Sequence, residues 1–324
     1  MKIKNLFFKK KQNISLTNIY KILNIKKNSK IRVNDIKDLK NATLKDISFF
    51  NSLKYLEDLK KTKTKNIIIH KKHLNYVNSF SNPIVVDNVL SSVSLIVDLF
   101  YPTALLDAVD FALTKPKKKN YKNIKLGKNI LIGKNVKIGS NCSIGHNTII
   151  EKNVIIGDKC SIGSNVILRN SLIENNVHIL DRCVIGKKGF GFFPNKNSNL
   201  RYPQIGVVII RDNVEIGCGA TIDRGSLSNT IIGKNTFLDN QIHIAHNVKI
   251  GENCVIAGQV GFAGSSTIGN NVFIGGQAGI SGHIKIGNNV QIGGGSGVIK
   301  DIADNTKVMG YPAKNIKQFL KENK

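Results

Sequence analysis

The chain has 324 residues, 41% of them apolar and 6% aromatic, enough for two domains with ordinary cores. No stretch approaches the ~20 apolar residues of a membrane span. The apolar run at residues 6–8 is too short for a secretory signal, so a cytoplasmic protein without a transmembrane segment is expected. The net charge of +27 is carried almost wholly by lysines scattered among abundant Asn and Ile. That is a compositional bias, unlike the clustered basic stripe of a nucleic-acid binder, and no nucleic-acid partner is expected.

Residues 1–112 read as a small α/β domain. Ser15 precedes Leu16, Ile19, Tyr20 and Leu23, the capped i, i+3, i+4, i+7 pattern of an amphipathic helix. Short strands are predicted at 47–50, 66–69 and 83–86, and a buried helix at 91–100. Residues 113–123, with Pro116 amid lysines, suit a linker.

From Leu126 to Val298 aliphatic residues recur every sixth position, as at Ile132, Ile138, Ile144, Ile150, Ile156 and Ile162, and again from Ile232 through Ile250, Ile268 and Ile286. A helix needs spacings of three and four and a half-buried strand needs two. A strict six predicts the hexapeptide repeat of a parallel β-helix, three hexads to a triangular coil of 18 residues. Gly follows many of these aliphatics, as a corner with unusual backbone angles would favour. Cys142, Cys160, Cys183 and Cys254 each lie two residues before an aliphatic position, where a small side chain turns inward, so they are expected to be core thiols; close C-x-x-C pairs are absent.

The repeat is expected to run over 124–312 and breaks at 187–207 and 223–231. The first break concentrates aromatics, including Phe190, Phe192 and Tyr202. It reads as a functional loop projecting from the solenoid, or as a loop folded back on the coil. Residues 313–324 suit a short C-terminal helix.

His246 lies two residues after Ile244; one coil on stands Gly264, and two coils on Gly282 beside His283. At ~4.8 Å per coil the two histidines are separated by about 10 Å along one corner. A base, a bare backbone N–H and a second polar group in line are what acyl transfer needs. Asp239, Asn240 and Asn247 add polar groups nearby, and Asp239 offers a carboxylate to orient an imidazole. His146 and His178 read as solvated side chains. A carbonic anhydrase of the same repeat would instead need three zinc histidines, and His243, His246 and His283 would have to serve.

The runs Gly189-Phe190-Gly191-Phe192, Pro203-Gln204-Ile205-Gly206, Val214-Glu215-Ile216-Gly217, Thr221-Ile222-Asp223-Arg224-Gly225, Asp239-Asn240-Gln241, Ile244-Ala245-His246-Asn247 and Ser281-Gly282-His283 closely resemble the UDP-3-O-(3-hydroxyacyl)glucosamine N-acyltransferases of lipid A biosynthesis. The resemblance implies a left-handed β-helix, mainly β in class, with a uridine-binding-like N-terminal α/β domain and a homotrimeric assembly. It implies His246 as general base, Gly264 as the backbone N–H donor to the oxyanion, and His283 with Asp239, Asn240 and Asn247 on the substrate side. The acceptor would be UDP-3-O-acylglucosamine. The donor would be a 3-hydroxyacyl acyl carrier protein bringing its own phosphopantetheine, with no bound cofactor and no metal. In the N-terminal domain Phe49 and Tyr55 match the family's uracil-contacting pattern, whereas Ser52 stands at its Asn position with Asn51 one residue early. Phe49 would serve equally as a strand residue facing the core. Another hexapeptide-repeat sugar acyltransferase, using acyl carrier protein or coenzyme A, is the alternative.

Overall fold

The computed structural model describes residues 6–117, 123–193 and 199–310; the predicted C-terminal helix and part of the predicted linker lie outside them. The chain divides into two compact units: residues 1–109 with 188–206 and 225–228, and residues 110–187 with 207–224 and 229–324.

The N-terminal unit opens with strand β1 (Ile14–Ser15) and helix α1 (Leu16–Ile22), whose first turn is capped by the Ser15 hydroxyl accepting from the Asn18 N–H at 3.3 Å. A four-stranded parallel sheet follows, in the order β3 (Asp35–Ile36), β4 (Asp46–Phe50), β5 (Asn66–Ile69) and β6 (Asn82–Val85), with β2 (Arg32–Val33) pairing β1 outside it. Every residue of β5 is buried, as a strand covered on both faces requires. On one face Ile47, Ile68 and Ile84 meet α1 and helix α3 (Val89–Phe100) through Leu16, Ile19, Val93, Ile96 and Phe100; on the other, Phe50, Ile67 and Ile69 meet Leu39 and Leu59, the latter on helix α2 (Leu56–Lys61).

In the second unit the described residues form three parallel sheets of ten, nine and eight strands, most of them two residues long. Ile132 pairs Ile150 and Ile150 pairs Leu168, a step of 18 residues. This is the left-handed β-helix. Its aliphatic stack is dry, with Ile150, Leu168, Ile185 and Ile244 fully buried, and each such residue is worth about 1.5–3 kcal/mol of burial. Elsewhere the step lengthens: Ile173 pairs Ile210, a step of 37, and Ile222 pairs Ile244, a step of 22. The surplus matches the two segments, 188–206 and 225–228, that group with the N-terminal unit.

The described part of the aromatic insertion groups with the N-terminal unit. Phe192–Phe193 pairs antiparallel with Leu200–Arg201, and Tyr202, Ile205 and Leu227 join the core around α1 and α3. Apolar burial draws the segment there, and the Ser94 hydroxyl holds it by donating to the Arg201 carbonyl at 3.2 Å.

The corner glycines have a different cause from the one the sequence suggests. Left-handed backbone falls two residues later, at Asn135 (φ 61°), Asn153 (φ 63°) and their equivalents. Asn tolerates this region best among residues with a side chain, and the amides ladder from coil to coil, as from Asn135 to Asn153 at 3.1 Å. Gly133 is required because an added Cβ would sit 2.4 Å from the Lys152 backbone N. Much of the Asn content is thus corner chemistry rather than drift of composition.

Cys142, Cys160, Cys183 and Cys254 are buried. Cys142 donates to the Gly157 carbonyl at 3.1 Å just as Thr148 donates to Gly163 at 2.7 Å, so Cys replaces Thr at one recurrent inward position. Burial pushes the Cys160 thiol up to about 12 and the Cys183 thiol to about 11, which makes them unreactive.

Candidate active site

The second unit gathers its polar side chains at the corner that follows strands Thr221–Arg224, His243–Ile244, Gly261–Phe262 and Gly279–Ile280. Their inward residues Ile222, Ile244, Phe262 and Ile280 pair in register, so the residues two places on, Arg224, His246, Gly264 and Gly282, form one column.

Asn247 takes the left-handed corner (φ 64°), and its N–H donates to the buried Thr230 hydroxyl at 2.9 Å. Its side-chain Oδ1 lies 2.9 Å from His246 Nδ1. An amide oxygen only accepts, so this bond selects the tautomer with the proton on Nδ1 and leaves the Nε2 lone pair free. The ring lies against Gly264: a Cβ there would fall 2.7 Å from His246 Cε1 and 2.8 Å from Nε2. At other corners a side chain of the next coil caps the equivalent N–H, as Asn240 caps Cys218 at 2.7 Å and Asn288 caps Asn270 at 2.9 Å. Gly264 and Gly282 have no side chain to do so, and among the described residues the Gly264 N–H has no acceptor. The corner thus offers an oriented imidazole beside an unspent backbone donor.

His283 takes the left-handed corner two coils after Asn247 (φ 60°), its N–H donating to the Gly264 carbonyl at 3.1 Å. It lies one residue off the His246 column.

The carboxylate beside His246 is Asp223, and this corrects the assignment of that part to Asp239. Asp239 follows the preceding strand, at another corner, where its Oδ1 accepts from the Asn240 N–H at 2.7 Å. Asp223 stands one coil before Ala245, with its Oδ2 4.0 Å from His243 Nε2. His243 Nδ1 in turn meets the Thr221 hydroxyl at 2.8 Å. Burial raises the Asp223 carboxyl above the usual range, and His243, His246 and Arg224 pull against that rise. Arg224 is fully buried and reaches the Gly186 carbonyl at 3.3 Å. Reading the sequence in steps of 18 misses Asp223, because the insertion at 225–228 makes this step 22; pairing Ile222 with Ile244 would have found it. Among the described residues no three His, Cys, Asp or Glu side chains converge as metal ligands.

In the N-terminal unit Phe49 is half-buried on β4, opposite Ile68 and against the core's edge. Tyr55 is half-buried in the turn after it, its phenol pushed up by burial and by Asp58. The Ser52 hydroxyl is engaged in capping that turn, accepting from the Lys54 N–H at 3.4 Å. The Asn51 amide has no partner among the described residues.

The repeat defines the class, a hexapeptide-repeat β-helix protein: residues 229–264 and 265–300 match the bacterial transferase hexapeptide family, and residues 122–189 match the GMPPB C-terminal domain. Within that class, residues 30–99 match the family described as UDP-3-O-(3-hydroxymyristoyl) glucosamine N-acyltransferase, LpxD. The UDP-3-O-acylglucosamine N-acyltransferase of Azorhizobium caulinodans is 53% identical over 64 residues, 20% of this chain and 18% of that protein. The one of Hahella chejuensis is 58% identical over 66 residues, 20% and 19%. The matched stretch thus spans under a fifth of each relative's length. The crystal structure of Francisella novicida UDP-N-acetylglucosamine acyltransferase superposes with a TM-score of 0.52 at 25% identity, covering 60% of this chain and 71% of that one.

Proposed function

We propose that the protein is an N-acyltransferase that moves a 3-hydroxyacyl chain from acyl carrier protein to the 2-amine of UDP-3-O-acylglucosamine, in lipid A biosynthesis. The observation that carries the reading is the imidazole of His246, fixed by Asn247 with its Nε2 lone pair free and lying against Gly264. The amine nitrogen attacks the thioester carbonyl and a C–N bond forms. His246 Nε2 takes the proton that the nitrogen loses, while the Gly264 N–H donates to the developing oxyanion. The tetrahedral carbon then collapses, the C–S bond breaks, and the proton passes to the departing thiolate, giving an amide and the free thiol of the carrier.

Phosphopantetheine arrives on the carrier and no other cofactor takes part. His283, Asp239 and Asn240 belong to the acceptor's surroundings, and Phe49, Tyr55 and Asn51 to those of the nucleotide. A homotrimer in the cytoplasm completes the reading; no helix among the described residues is long and apolar enough to cross a membrane. The test is incubation with UDP-3-O-acylglucosamine and 3-hydroxyacyl carrier proteins of graded chain length, with mass spectrometry of the product. A UDP-2,3-diacylglucosamine is expected. Acylation of UDP-N-acetylglucosamine at oxygen, or no transfer from any carrier-bound chain, would overturn it.

A further inference from the structure

The corner column preceding His246's own reads Gly133, Glu151, Arg169, Gly186, Asp223, Ala245, Ala263, Ser281 from coil to coil. Its two other charged members, Glu151 and Arg169, neutralise one another in a buried ion pair. Asp223 is different: the coil after it offers Ala245, and the basic groups that act on it come from the adjacent columns, His243 from the sheet face and Arg224 and His246 from the corner. Its side chain is only 13% exposed, so its charge is little screened.

We propose that Asp223 is a positioning residue for His246, its carboxylate compensating the positive charge the imidazole acquires when it takes the proton of the attacking amine. The proposal rests on the acyl-transfer reading for its purpose, although the coupling it asserts is a property of the resting protein. Burial raises this carboxyl, and His243, His246 and Arg224 pull against that rise. His243, tethered through Nδ1 to Thr221, presents Nε2 to it at a distance that suits ion pairing once that ring is protonated. The carboxylate therefore meets three cationic or potentially cationic groups, and only His246 among them has Gly264 beside it and a nitrogen free to accept. Removing the negative charge should make protonated His246 less stable and lower its pKa, which weakens it as a base.

The experiment is a titration of His246 by NMR on full-length protein labelled at histidine Cε1, with the resonance assigned by its loss in His246→Gln. Wild type is compared with Asp223→Asn and with Asp223→Ser, the smaller side chain guarding against an Asn that does not fold. The expected result is a fall in the His246 pKa of about one unit in both variants. The acid limb of the kcat/KM profile should shift by the same amount, with kcat about tenfold lower, the factor that one pKa unit represents, and KM for the sugar nucleotide unchanged. An unmoved His246 titration in a folded variant overturns the proposal even if wild type transfers acyl chains as described. A shifted titration in a protein that transfers none upholds the coupling and sinks the acyl-transfer reading instead.

Discussion

At the scale of single residues, the contact between His246 and Gly264 yields two expectations that separate catalysis from folding. His246→Ala removes a corner side chain that supports no core, so thermal stability should hold while turnover falls by about 10² to 10⁴, the usual worth of general-base assistance. Near-wild-type turnover would eliminate His246 as the base. Gly264→Ala should do comparable damage by another route: the new methyl lies 2.7 Å from the imidazole, so the ring swings away from both Asn247 and the N–H beside it. Because the clash is with the end of a movable side chain, melting temperature should change little. A variant that unfolds, or one that retains activity, would contradict this account. The column His246, Gly264, Gly282 was legible in the sequence because no insertion separates its members. Asp223 was not, since reading it requires knowing that four extra residues leave the coil between Arg224 and Asn229.

At the scale of elements, β4 carries the test of the nucleotide reading. Phe49 is neither fully exposed nor deeply buried: it rests on the core's edge and keeps a free face. Phe49→Ala is expected to raise KM for the sugar nucleotide several-fold with kcat little changed, as for a contact that acts equally in ground and transition states. Unchanged KM with a lowered melting temperature would make Phe49 a core residue only. The strands and helices around it were legible because their apolar periods are local. The cause of the corner glycines was not, because a 2.4 Å approach between neighbouring coils is a non-local fact. Nor could the period of six reveal that Tyr202 and Ile205 join a core formed by residues 14–104.

For the molecule as a whole, the charge of +27 bears on which donor is used. If lysines recruit an acidic carrier protein, raising ionic strength should slow transfer from the carrier, since screening reaches only about 8 Å at physiological salt and less above it. A small acyl-pantetheine thioester should be much less affected. Initial rates for both donors from low to high salt provide the measurement, and equal sensitivity of the two would remove the carrier protein from the reading.

The lengthened steps in the coil also bear on how such a chain can come to be. Closing a loop of 37 residues in place of 18 doubles its length, and each doubling adds only about 0.6 kcal/mol of closure entropy. Because every coil touches only its neighbours, that penalty stays local. A solenoid can therefore host a foreign segment in its wall, provided the segment finds apolar burial elsewhere, as Tyr202 and Ile205 do. Such insertions are thermodynamically cheap, and an ancestral uninterrupted repeat would have had little folding barrier to acquiring them.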